Sequence, residues 1–222
     1  MSKDDPVEMA LDSVAVGWLL ADAATNCDSP PDLVAALHAA GARRVSDSES
    51  PWAVARKGEV RDMLRHGTYK PTGRAKPASE YLLRTAVEGE VPVINVLADA
   101  NNVVSLETLF PISIIDLDRA RADRFVVRHG REGESYVFNP SGQELSLKDL
   151  LLVARLPSDR PCATPVKDSQ ETKTDVSTRR ALGVVYGPAG LHDAVRDATA
   201  RLADLLSRHA GSTVRWGMLP DR

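Results

Sequence analysis

Between positions 94 and 116 the chain gathers most of its candidate chemistry: Asp99, Asn101, Asn102, Glu107, Ser113 and Asp116. Side-chain amides and a hydroxyl both donate and accept hydrogen bonds, so they can orient a bound group or a water. The three carboxylates can pair with an ammonium or brace the backbone, and residue type alone leaves both open. Taken singly, Asn101 and Asn102 at the end of a strand read as turn formers bonded to local backbone. Taken together with Asp99 and a turn at Pro111-Ile112-Ser113, they put amides and a hydroxyl at one pocket mouth. Other chemistries lack their residues. There is no G-x-S-x-G elbow, no paired His and Cys signature, and no zinc spacing among His38, His66, His129, His192 and His209. Cys27 and Cys162 lie far apart, fit no metal or redox spacing, and read as buried small apolar residues in a reducing cytoplasm. No metal or cofactor is expected.

The elements that must hold these residues follow from patterning. A β-like run at 14–20 leads into a helical stripe of Leu33, Val34, Leu37 and Ala40, closed by Gly41. A second helix starts at Ser50-Pro51 and stops at Gly67, and a third runs from 77–79 to Gly89. The linker at 68–76, with Pro71, Gly73 and three basic residues, is irregular and exposed. From Val91 onward short β-branched segments at 91–97, 124–128, 135–138, 150–155 and 180–186 read as a sheet system. Leu191, Val195, Ala198, Leu202 and Leu205 then mark an amphipathic terminal helix ended by Gly211, which reads as a packing element.

With 222 residues, 43% apolar and 27% charged, the chain can bury one sizeable core, and 1–222 is expected to fold as one domain. The longest apolar run, 14–21, is about half a bilayer span. It follows Lys3, Asp4, Asp5, Glu8 and Asp12, so neither a signal peptide nor a membrane partner is expected. The net charge of -3 disfavours general nucleic-acid binding. Yet residues 43–76 hold nine basic and four acidic side chains, a local +5. Arg61, Arg65, Lys70, Arg74 and Lys76 are its candidate RNA-binding residues, and the bland alternative is a solvated helix and loop surface.

One register ties the polar stretch to a known family. The segment from Ile94 to Glu107, with Pro111 to Asp116, resembles the hallmark of the B3/B4 domain, the editing and tRNA-binding module of the bacterial phenylalanyl-tRNA synthetase beta subunit. Without a gap, Asp99 falls on the family's VD aspartate and Asn102 on its TN asparagine. Leu106-Glu107 falls on its LE pair, Pro111 on its QP proline and Asp116 on its AFD aspartate. Arg128 to Glu134 looks like its R-x-x-x-E-G-E hairpin, Ser141 to Leu145 like its DGxExxL turn, and Asp149 to Leu152 like its DLVIAD strand. The likeness covers about residues 75–186. It implies an α+β layered domain of packed sheets with helices on an outer face, here as a free-standing relative. It also implies hydrolysis of tyrosine mischarged onto tRNA(Phe), an already labile ester that needs a positioned water and hydrogen bonds to the developing oxyanion.

On this basis Asn101, Asn102 and Ser113 are the candidate catalytic residues. Asp99, Glu107, Asp116, Asp168 and Val184 are candidate substrate contacts, and Asp168 with Ser169, Thr172, Lys173 and Thr174 forms a polar loop for which a solvated loop is the favoured alternative. Two positions depart from the family. Ser113 stands where it has a histidine, and Val184 falls near the glutamate that recognises the tyrosyl hydroxyl, which implies a pocket for a smaller or less polar aminoacyl group. Three readings follow: a deacylase acting in trans on aminoacyl-tRNA, a non-catalytic RNA- or tRNA-binding module, and a binder of free amino acid. DNA is not an expected partner. Nor is ATP-dependent aminoacylation expected, since no class II motif is visible.

Overall fold

The protein is described here by a computed structural model covering residues 5–89 and 91–220; Lys3 and Asp4 lie outside the described residues. Two four-stranded sheets carry the fold. The first has the order β10 (Thr213–Leu219), β2 (Val14–Asp22), β9 (Ala181–Pro188), β3 (Ile112–Asp116), all antiparallel. The second has the order β1 (Val7–Met9), β4 (Phe125–His129), β7 (Leu151–Arg155), β8 (Arg160–Ala163), with β1 parallel to β4. A hairpin of β5 (Ser135–Val137) and β6 (Glu144–Ser146) projects from it, turning at Gly142.

The helices are α1 (Pro31–Ser46), α2 (Pro51–Leu64), α3 (Ala78–Glu88), α4 (Val96–Thr108), the single turn α5 (Leu117–Ala120) and α6 (His192–His209). Helix α6 buries Val195, Ala198, Leu202 and Leu205 on the first sheet, as its apolar stripe predicts. Its approach requires Gly17, because a Cβ there would stand 1.8 Å from Thr199 Oγ1. One hydrophobic cluster runs from Val7 to Leu219 and includes residues of both sheets and of all the longer helices. Among the described residues no helix is long and apolar enough to cross a membrane, and no group of three or more His, Cys, Asp or Glu is placed to hold a metal.

Several expectations need correction. Segment 91–97 is not a strand. Residues 91–95 are irregular and Asn95 caps α4, its Oδ1 accepting from Ala98 N at 3.0 Å. Helix α1 runs past Gly41 to Ser46, because that glycine faces Val91 and continuing the helix buries Arg44 against α4. Helix α2 stops at Leu64 rather than Gly67. Pro111-Ile112-Ser113 is the entry to β3 rather than a turn. Cys162 is buried, but Cys27 is exposed. Strands β1, β3, β6, β8 and β10 lie outside the expected strand segments.

Candidate functional site

Ser113 lies on β3, opposite Val184 of β9, so side-chain alternation puts Ser113, Val184 and Tyr186 on one face of the first sheet. Gly17 and Gly187 lie on the other face, where α6 packs. The Ser113 face turns toward the chain that follows β8. There the Ser113 hydroxyl donates to Asp168 Oδ1 at 2.7 Å and lies 3.4 Å from the Thr164 carbonyl. It accepts from the Tyr186 hydroxyl at 3.0 Å. Thr164 N also donates to Asp168 Oδ1, at 3.2 Å. Thr164 in turn folds residues 164–167 into a tight turn, its hydroxyl donating to Lys167 O and accepting from Lys167 N. The Tyr136 hydroxyl of β5 donates to the same Lys167 carbonyl.

The residue Asp168 is half-buried, yet its carboxyl is enclosed by these partners. Burial pushes that carboxyl up to about 7, against the opposing pull of the Ser113 and Thr164 hydrogen bonds and the Lys173 ammonium. Lys173 is itself held below the usual lysine range by burial, partly offset by Asp168. It donates to Phe138 O, and its backbone bridges Ile115, so residue 173 covers the free edge of β3. Tyr186 is pushed well above its ordinary value by burial and by the Asp168 charge. The seam between the sheets thus holds a carboxyl that gains and loses its proton near neutrality, wired through one serine to a phenol.

Of the expected residues, Ser113, Val184 and Asp168 come together here. Ser113 is 1% exposed and Val184 fully buried. Ser169 and Thr172 serve the loop, accepting from Glu171 N and donating to Cys162 O respectively. Tyr186 and Tyr136 were not singled out from sequence. The alternation of β9 carries the only signal for Tyr186, since it shares a face with Val184.

Asn101 and Asn102 lie in the middle of α4, not at a strand end. Each is half-buried, and Asn101 Nδ2 donates to Asn102 Oδ1 at 3.2 Å. Among the described residues, the buried Asn101 Oδ1 has no hydrogen-bond partner. The helix that carries them is fixed at its start. Val96 N donates to Cys27 O, Leu97 N to Asn26 Oδ1 and Ala98 N to Asn95 Oδ1, so these first N–H groups are already satisfied.

The other carboxylates brace the fold. Asp99 is fully buried, accepting from Ile94 N at 3.0 and 3.2 Å and from the Ser29 hydroxyl at 2.6 Å. Asp116 caps α5 through Arg119 N and accepts from the Thr178 hydroxyl at 2.6 Å. Glu107 faces α6 and pairs with Arg201 at 3.3 Å. Of the two alternatives, these contacts are of the bracing kind: hydrogen bonds for Asp99 and Asp116 and an ion pair to α6 for Glu107. On the basic segment, Arg61 pairs with Glu80 and the exposed Arg65 pairs with Asp62. Among the described residues, Lys70, Arg74 and Lys76 form no ion pair or hydrogen bond through their side chains.

No curated protein matches the chain. Among solved structures it is similar to an N-terminal fragment of the phenylalanyl-tRNA synthetase beta subunit from Pyrococcus horikoshii, at 14% identity and a TM-score of 0.46. That match covers 56% of this chain and 45% of the other, so the chain spans less than half of the fragment. A family profile described as the B3/4 domain matches residues 69–211, which takes in the seam residues Ser113, Asp168 and Tyr186 as well as helices α3 and α4. The chain belongs to the B3/4 domain family.

Proposed function

We propose that this protein binds the aminoacyl end of a tRNA and hydrolyses the ester of mischarged aminoacyl-tRNA in trans. The observation that carries the reading is the Asp168 carboxyl, pushed up to about 7 and hydrogen-bonded to Ser113 at the junction of the two sheets. A carboxyl with that proton affinity is matched to taking a proton from water near neutral pH. The Ser113 hydroxyl already donates to Asp168 and accepts from Tyr186, so it orients the base, and the attacking group is water. Asn101 and Asn102, on α4, hydrogen-bond to each other, and among the described residues no contact joins them to the Asp168 carboxyl, so the reading rests on Asp168 and Ser113. Val184, the cross-strand neighbour of Ser113 on the same face, puts a buried valine where the family's glutamate would select a phenol, which supports a substrate smaller or less polar than tyrosine.

A second reading, binding of aminoacyl-tRNA without turnover, is favoured by one observation: Ser113 is 1% exposed. Incubating the protein with a panel of mischarged tRNAs, beside a tRNA binding titration, separates the two. Ester loss that falls about a hundredfold or more in Asp168→Asn, with tRNA affinity kept, supports hydrolysis. Wild-type binding with no ester loss on any tRNA would remove the enzyme reading and leave the binding module.

A further inference from the structure

We infer that the loop at 66–76, with the hollow beside it, is the surface on which the phosphate backbone of the RNA lies. This rests on the reading of the substrate as an aminoacyl-tRNA. The eleven residues of this loop carry Lys70, Arg74 and Lys76 and no acid. Their neighbours are committed elsewhere: Lys57 to Glu49, Arg56 to Glu59, Arg61 to Glu80, and Arg84 to Glu88. Unpaired cations on a chain of net charge -3 make this a confined positive face.

The loop is also held rigid, which a merely solvated linker does not require. Thr68 donates through both N and Oγ1 to Asp149 Oδ2 at 2.7 Å. The His66 ring stacks on His129 with centroids 3.6 Å apart. Further along, the Tyr69 hydroxyl donates to Ala75 O at 2.7 Å and the Tyr81 hydroxyl to Gly73 O at 3.2 Å. These bonds fix the backbone from which three exposed or half-exposed cations project, and so lower the ordering cost of binding. Beside them a hollow of about 330 Å³ is lined by Lys76, Tyr81 and Arg84 and by the ion pairs of Lys57 with Glu49 and of Arg61 with Glu80, so its unpaired charge is that of the loop cations. Braced, with its cations on the loop and Val87 as the exposed large apolar side chain at its margin, the face suits a polyanionic strand better than a lipid surface.

The test is a tRNA titration at rising salt with the triple variant Lys70→Ser, Arg74→Ser, Lys76→Ser. A paired variant of exposed α6 residues, Arg196→Ser with Arg208→Ser, is the charge control. Losing about three phosphate contacts lowers the slope of log K against log salt by about 2 to 3, and weakens binding about tenfold or more at low salt. The control keeps the wild-type slope. An unchanged slope in the triple variant, or an equal loss in the control, overturns the inference. Hydrolysis of an aminoacyl ester of adenosine, which lacks the RNA body, is read alongside. That ester is cleaved equally by wild type and triple variant under this inference. If wild type cleaves no ester at all while the triple variant still loses its salt slope, the hydrolase reading fails and the RNA surface stands.

Discussion

The Ser113 hydroxyl donates to Asp168 Oδ1 at 2.7 Å across the seam between the two sheets. With its folded value near 7 and an unfolded value of about 3.9, Asp168 keeps a proton in the fold that the unfolded chain has released. The sign follows: this contribution is full below about pH 4 and is lost as pH rises through about 7, in total of the order of 4 kcal/mol. Asp168→Asn keeps an acceptor for Ser113 and removes the titration. Urea unfolding at pH 5 and pH 8 then shows wild type losing stability relative to Asp168→Asn as pH rises. Parallel profiles for the two proteins rule out a buried carboxyl of raised proton affinity.

Asp99 tests bracing against binding. In Asp99→Ala the Ile94 N–H and the Ser29 hydroxyl lose their buried acceptor, which costs about 2 to 4 kcal/mol. Ester hydrolysis by the folded variant should keep its KM. A raised KM with unchanged stability would restore Asp99 as a substrate contact.

Local signals with one physical meaning were legible in the sequence. Ser50-Pro51 starts α2, with Ser50 Oγ accepting from Ala53 N at 3.2 Å, and Gly89 ends α3. The periodicity of α6 survives because one face meets the sheet and the other meets water. The stretch at 91–97 misled because Val91, Val93, Ile94 and Val96 suggest a strand, whereas Asn95 caps a helix that α1 and α6 bury. Register matching placed Ser113 and Val184 at one locus, and the pairing of β3 with β9 sets them side by side on one face of the sheet. Their link to Asp168, 55 residues further on, arises only when the second sheet brings the 164–168 turn to β3, a tertiary contact with no local pattern.

The His66 and His129 rings are stacked, 7° from parallel. Burial, and then the neighbouring His66, hold His129 below the usual histidine range, with the Asp149 carboxylate opposing them. A base depressed in the fold contributes stability above its unfolded value of about 6.5 and loses it as pH falls further. Acid should therefore loosen the clip at the start of the 66–76 loop. Hydrogen exchange in that loop should quicken between pH 7.5 and 5.5 in wild type, but not in His129→Phe, which keeps a flat ring without a proton to gain. Equal quickening in both would show that the stack is not the clip.

Helix α6 and strand β2 meet where a side chain is missing: a Cβ on Gly17 would stand 1.8 Å from Thr199 Oγ1 and 2.9 Å from Thr199 Cβ. Gly17 is in β2, between the paired strands β10 and β9, so the backbone cannot shift without disturbing both ladders. Gly17→Ala should therefore cost about 1 to 3 kcal/mol or more through overpacking. Thr199→Ala removes the closest atom, and its hydroxyl bonds only the Val195 carbonyl of its own helix, so that change alone is mild. Combined, the two substitutions should be less destabilising than their sum, with a coupling of about 1 kcal/mol or more in a double-mutant cycle of urea midpoints. Full additivity would mean that the helix stands off the strand, and that the packing which sets the first sheet, and with it the register placing Ser113 opposite Val184, has another origin.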